Sequence, residues 1–164
     1  MSIVEAYRDS ADHLRSEFNL LNLRLHRRVL EWRAEHHPNA TPDELAGLYT
    51  SEAGIVHLIN SLYPNRAAPG AEASLTLLDR LIEQAAWTHA AREAATRVKP
   101  GGIDRLHLPL LAERLRLNGL ERGALTLALA TECDRRYERL FGYLNDDLTQ
   151  KMPTPALTVT VFAT

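Results

Sequence analysis

Eight glycines are spread along the chain, and none begins a G-x-x-x-x-G-K-[ST] loop. No G-x-G-x-x-G occurs either, so the usual backbone cradle for nucleotide phosphates cannot be built from these residues. Gly101-Gly102 reads as a turn. His36-His37, with Glu31 and Glu35 nearby, has the look of a metal cluster. Adjacent helical residues, however, point about 100° apart, and the H-E-x-x-H spacing of zinc proteases is absent. A histidine pair at a helix end is also favoured there by the negative end of the helix dipole, without any ion. His13, His26, His57, His89 and His107 are scattered, and each reads as a surface or hydrogen-bonded polar residue. Cys133 precedes Asp134, Arg135 and Arg136, a neighbourhood that could depress a thiol pKa. No histidine is close to it in sequence, and it reads as a packing residue at a helix junction. No catalytic, cofactor-binding or metal-ligating residue is therefore assigned, and the chain is not expected to be an enzyme.

Two other charged patterns bear on binding. Asp134-Arg135-Arg136-Tyr137-Glu138-Arg139 is denser in charge than a helix start requires. It reads either as a cap with solvated arginines or as a docking surface, since the guanidinium fork binds carboxylates in pairs. Asp134, Arg135, Arg136, Tyr137 and Arg139 are the docking candidates here. Residues 108–130 can be read as a helix-turn-helix. Its second helix would offer Glu121, Arg122, Thr126, Thr131 and Glu132, a poor face for a polyanion. A packing hairpin is the better reading. Arg24, Arg27, Arg28 and Arg33 interleave with Glu31 and Glu35, which predicts an ion-paired helix face.

The elements that must position these residues are helical. Val4, Tyr7, Ala11, Leu14, Phe18, Leu21, Leu25, Val29 and Trp32 recur at steps of three and four, predicting a long helix over residues 3–35. Leu20, Leu23, Leu30 and Ala34 add a second row later on. The amphipathic first half needs a cover. Either a later helix lies antiparallel to it, or Tyr7, Ala11 and Leu14 meet a second copy or a partner. Thr41-Pro42-Asp43-Glu44 is a capping box, followed by Leu45, Leu48, Ile55, Leu58, Ile59 and Leu62 as a buried side.

A third helix is predicted over residues 71–98, with Leu75, Leu78, Ile82 and Ala85 inward and an alanine-rich second half. Lys99-Pro100-Gly101-Gly102 stops it and marks the internal boundary between residues 1–102 and 103–164. A shorter helix opens at Leu108-Pro109, with Leu111 and Leu115 on its stripe. Beyond Asn118-Gly119 comes a helix with Leu120, Ala124, Leu127 and Ala128 on one side and Leu125 and Leu129 beside it. Asp134 can cap a helix over residues 135–144 that buries Tyr137, Leu140, Phe141 and Leu144. Residues 157–162 alternate as a strand would, whereas Thr154-Pro155 is a good helix start.

Composition is that of an ordinary globular chain. The 164 residues are 45% hydrophobic, enough to bury a core, with a formal net charge of −2. Nothing in that charge draws the chain toward nucleic acid or an anionic membrane. One cysteine excludes an intrachain disulfide and fits a reducing compartment. A cytoplasmic location is expected. The segment after Thr154 has no terminating signal, which reads as a piece of a longer protein.

Residues 115–155 resemble the segment just before the ATPase module in a group of bacterial AAA+ ATPases, some encoded with phage-tail-like contractile injection systems. The resemblance is carried by Gly119-Leu120, Leu125 to Ala130, the run Glu132-Cys133-Asp134-Arg135-Arg136-Tyr137-Glu138-Arg139-Leu140-Phe141-Gly142-Tyr143-Leu144-Asn145-Asp146-Asp147, and Thr149 to Pro153-Thr154. Cys133 stands where leucine is usual, and Gly123 where a larger residue is usual. The resemblance implies a non-catalytic N-terminal region with a winged-helix-like portion after Gly102. It also implies an ATPase module beyond residue 164 that would bind ATP and Mg²⁺. The expectation is an all-α, multi-helix domain with a long first helix, which docks a protein partner or its own ATPase module, or assembles as a homo-oligomer. A free-standing helical scaffold or a DNA-binding helix-turn-helix regulator is the alternative.

Overall fold

Asp9 decides where the first helix begins: its carboxylate accepts the backbone N–H of Asp12 at 2.7 Å, an N-terminal cap. The computed structural model describes residues 4–36, 52–63, 69 and 73–162. Helix α1 runs Ser10–His36, α2 Glu52–Leu62, α3 Leu75–Arg97, α4 His107–Leu115, α5 Gly119–Cys133, α6 Arg136–Leu144 and α7 Pro155–Phe162. A short 3₁₀ turn, Ile103–Arg105, precedes α4, and there is no strand among the described residues. The all-α expectation with a long first helix holds. The capping box at 41–44, with Leu45 and Leu48, lies outside the described residues.

The first helix starts seven residues later than its periodicity predicts. Residues 4–7 are non-helical, and the Tyr7 backbone N–H donates to Thr96 Oγ1 on α3 at 2.9 Å. The apolar spacing continued through Val4 and Tyr7 because these residues face the same neighbour, not because they share a helix. Ala6 and Tyr7 are buried.

Contacts between α1 and α3 run in opposite order along the two helices: His13 meets Glu93, Glu17 meets His89, and Arg27 meets Asp79. The pair is therefore antiparallel, the intramolecular cover expected for the first half of α1. Arg27 also pairs with Glu31 at 2.7 Å and Arg28 with Glu35 at 3.0 Å, as the interleaved charges predict.

The apolar core gathers around the second half of α1. Leu21, Leu25 and Val29 meet Ile55 and Ile59 of α2, Leu78 of α3, Leu127 of α5, Leu140 and Phe141 of α6, and Leu157 and Val161 of α7. Residues on both sides of the Lys99–Gly102 turn share this cluster. Asn22 lies inside it with its hydrogen bonds made. Its Nδ2 donates to Leu62 O at 2.9 Å and its Oδ1 accepts Tyr137 O–H at 2.7 Å, so a buried amide ties α1, α2 and α6 together.

Helix α6 buries the predicted side, Tyr137, Leu140, Phe141 and Leu144. The N-cap of α6 is Arg135, not Asp134, and it makes no side-chain cap bond; Asp134, one residue earlier, accepts the Arg136 backbone N–H at 2.9 Å. The phase of α5 differs from expectation. Its buried residues are Gly123, Thr126, Leu127, Ala130 and Thr131, and Leu120 is exposed. Thr126 and Thr131 tolerate burial because their hydroxyls donate to the carbonyls of Arg122 and Ala128, both at 2.9 Å. Asn118 and Glu121 close a capping box at the start of α5. In α4 the inward residues are Leu108, Pro109 and Ala112, leaving Leu111 and Leu115 outside; Leu75 of α3 is likewise exposed. Cys133 is exposed and does not fill the packing role predicted for it. The 157–162 segment is helix, with Thr154 Oγ1 accepting Leu157 N–H at 3.1 Å. Gly123 is explained by α7: a Cβ there would lie 2.6 Å from the Phe162 ring.

Candidate functional site

The first half of α1 carries charge inward where the second half carries leucine. His13 and Glu17 are four residues apart, hence on one face of α1; His89 and Glu93 have the same spacing on α3. The antiparallel pairing brings the two sets together. His13 Nε2 is 2.6 Å from Glu93 Oε1, and His89 Nε2 is 3.2 Å from Glu17 Oε1 and 3.3 Å from Glu93 Oε1. From α5, Arg122 reaches both carboxylates: its Nη2 pairs with Glu17 and with Glu93, and its Nε donates to Glu17 at 3.0 Å. His13 is 1% exposed and His89 7%. Behind His89, its Nδ1 is 2.5 Å from Tyr7 Oη, and that hydroxyl donates to Ser16 Oγ at 2.9 Å.

Burial alone would keep these carboxyls neutral. Hydrogen bonds from His89 and the charge of Arg122 reverse that for Glu17, bringing it down to about 2. Burial is likewise outweighed at Glu93, where His13, His89 and Arg122 hold the carboxyl well below the usual range. For His89, burial opposes the charge, but bonds to Glu17 and Glu93 prevail and its pKa is raised. Two carboxylates thus face one guanidinium and two imidazole rings. His89 lies with Nε2 against the carboxylates and Nδ1 against the Tyr7 hydroxyl, whose own proton goes to Ser16. Arg122 Nη2 also lies 3.3 Å from His89 Nε2.

Along the sequence His13 and His89 are scattered. His13 is 80 positions from Glu93 and His89 is 72 from Glu17, and only the α1–α3 register joins these pairs. The repeated H-x-x-x-E spacing was the available signal.

The sequence-predicted docking residues divide. Tyr137 is in the core, and Tyr7 is buried against α3, so neither is an exposed contact. Arg136 is engaged, clasping Asp134 and donating to Ser61 O at 2.5 Å. Arg135 and Arg139 face solvent; Ala11 is exposed and Leu14 half-buried. The larger uncovered apolar face is elsewhere. On the side of α3 away from α1, Leu77, Arg80, Gln84, Trp87, Ala91, Ala94 and Val98 follow at alternating steps of three and four. Ala91 is half-buried and the other six are exposed, Trp87 at 67% and Val98 at 84%. That spacing is a heptad seam.

No helix among the described residues is long and apolar enough to cross a membrane. A family model described as "Winged helix domain, variant" matches residues 2–164. No curated protein and no solved structure matches the chain.

Proposed function

Since the chain belongs to the variant winged helix domain family, we propose that it is a non-catalytic docking module. The observation that carries this reading is the exposed heptad seam on α3. An apolar stripe that includes a tryptophan two-thirds in solvent costs free energy until a partner covers it. A seam of that period receives an amphipathic helix, and Arg80 and Gln84 within it would set the register.

The resemblance over residues 115–155 supports an AAA+ ATPase as the machine this module serves, with ATP and Mg²⁺ held by the ATPase module and not by this chain. The module would recruit a protein partner or assemble onto its own ATPase, and the absence of a phosphate-binding loop accords with a non-enzymatic role. Arg135 and Arg139, exposed at the start of α6, supply a secondary polar contact. The test is direct binding to a separately expressed AAA+ module encoded with this chain, comparing wild type with Trp87→Asp. Loss of binding with unchanged folding supports the reading; equal binding overturns it.

A DNA-binding reading has one observation in its favour. Arg114 and Arg116 are exposed at the turn before α5, with Arg116 in the left-handed region at φ 53°. Glu113, Glu121 and Glu132 are exposed along the same pair of helices, which opposes a phosphate backbone. Retention on duplex DNA at physiological salt would favour that reading over docking.

A further inference from the structure

We propose that His13, Glu17, His89 and Glu93 form a binding site for one divalent transition-metal ion, with the Arg122 guanidinium as the competing internal cation. The inference is independent of the docking reading.

Each of the four side chains offers one ligand atom, and these atoms lie within 4.8 Å of one another. Around zinc, with bonds of about 2.1 Å, tetrahedral ligands stand about 3.4 Å apart. The His89 to Glu17 and Glu93 distances, 3.2 and 3.3 Å, already match that edge. The His13–Glu93 pair, now 2.6 Å apart, would open and the widest pair, within 4.8 Å, would close, each by about 1 Å, which side-chain torsions can supply. Two imidazole nitrogens with two carboxylate oxygens suit zinc, cobalt or nickel. Magnesium and calcium prefer all-oxygen sets. The outer shell is also built: the second nitrogen of His89 is fixed by Tyr7, and Tyr7 by Ser16 and, through its backbone, Thr96.

Charge explains why the site can exist in two forms. Two buried carboxylates need compensating positive charge. Arg122 supplies it, its Nη2 pairing with both Glu17 and Glu93. A divalent ion held by the same carboxylates supplies that charge from one centre, and the guanidinium becomes surplus. The Arg122 side chain is a quarter exposed, so it has a way out along the surface. Metal binding would thereby release α5 from its ionic tether to α1 and α3.

Cobalt(II) and zinc(II) titrations of the full chain at pH 7.5 test the proposal. One equivalent of cobalt should give the intense visible bands of a tetrahedral centre, and zinc should displace it. Arg122→Gln, which removes the competitor, should bind at least tenfold tighter, and His89→Ala at least tenfold weaker. The proposal is overturned if neither wild type nor folded Arg122→Gln binds stoichiometrically. It is also overturned if His89→Ala binds as wild type does, which would place the ion at another histidine pair. Should Arg122→Gln fail to fold, the wild-type and His89→Ala titrations decide alone.

Discussion

Helix α1 is held in two different ways along its length. From Leu20 to Trp32 it is held by packing, with Leu21, Leu25 and Val29 at most 1% exposed among leucines, isoleucines and Phe141. From His13 to Glu17 it is held by charge, through histidine, glutamate and arginine side chains drawn from α1, α3 and α5. The apolar half gains from every buried methylene and tolerates small errors in geometry. The charged half must first offset desolvation of several ions, and it does so only because each has a partner. The apolar half therefore supplies stability at any pH, whereas what the charged half supplies depends on pH and ties α1, α3 and α5 together at named side chains.

That contrast can be broken from either side. The largest effect is expected in the apolar half: Phe141→Ala should cost about 3–5 kcal/mol in urea unfolding, with little change in its pH dependence. In the charged half the corresponding loss is set by pH. Glu17 titrates at about 2 in the fold against 4.5 in the open chain, so its stabilisation is complete above 4.5 and disappears as pH falls through 2, on the order of 3 kcal/mol. His89 is raised, so its contribution is complete below 6.5 and is lost as pH rises through its folded value. Melting temperature against pH should therefore fall on both sides of a maximum between about 4.5 and 6.5, and His89→Gln should flatten the alkaline limb. Arg122→Gln should cost about 2 kcal/mol, because the carboxylates keep their histidine partners and some solvent access. Gly123→Ala pits a clash with the Phe162 ring against better helix propensity. A net loss of about 1 kcal/mol is expected, and a gain in melting temperature would show that α7 gives way freely.

The same contrast governs what could be read from the sequence. The α6 face and Leu127 were legible because periodicity within one helix reports burial directly: Leu127, Leu140 and Phe141 are all fully buried. The α5 phase was misjudged at Leu120 because threonines that bond their own backbone can face inward as leucines do. The start of α1 was misplaced because an apolar step at Tyr7 looks the same whether the residue is helical or lies along a neighbouring helix. The charged centre was legible only in its repeated H-x-x-x-E spacing. Glu17 and Arg122 are 105 positions apart, and no local pattern encodes that pairing. The α3 seam was masked by its own inward stripe: alanines at 85, 86, 90, 91, 94 and 95 surround the helix and blur its two faces.

The smallest expected effect on folding is also the one that bears most on function. Trp87→Asp, on the exposed seam, should change stability by less than about 0.5 kcal/mol. The deciding measurement is calorimetric titration of the AAA+ module proposed above as its partner, separately expressed, against wild type and Trp87→Asp. The account predicts saturable binding to wild type and at least a tenfold loss for the variant, with equal melting temperatures. No binding to wild type, or equal affinity for both, would contradict it.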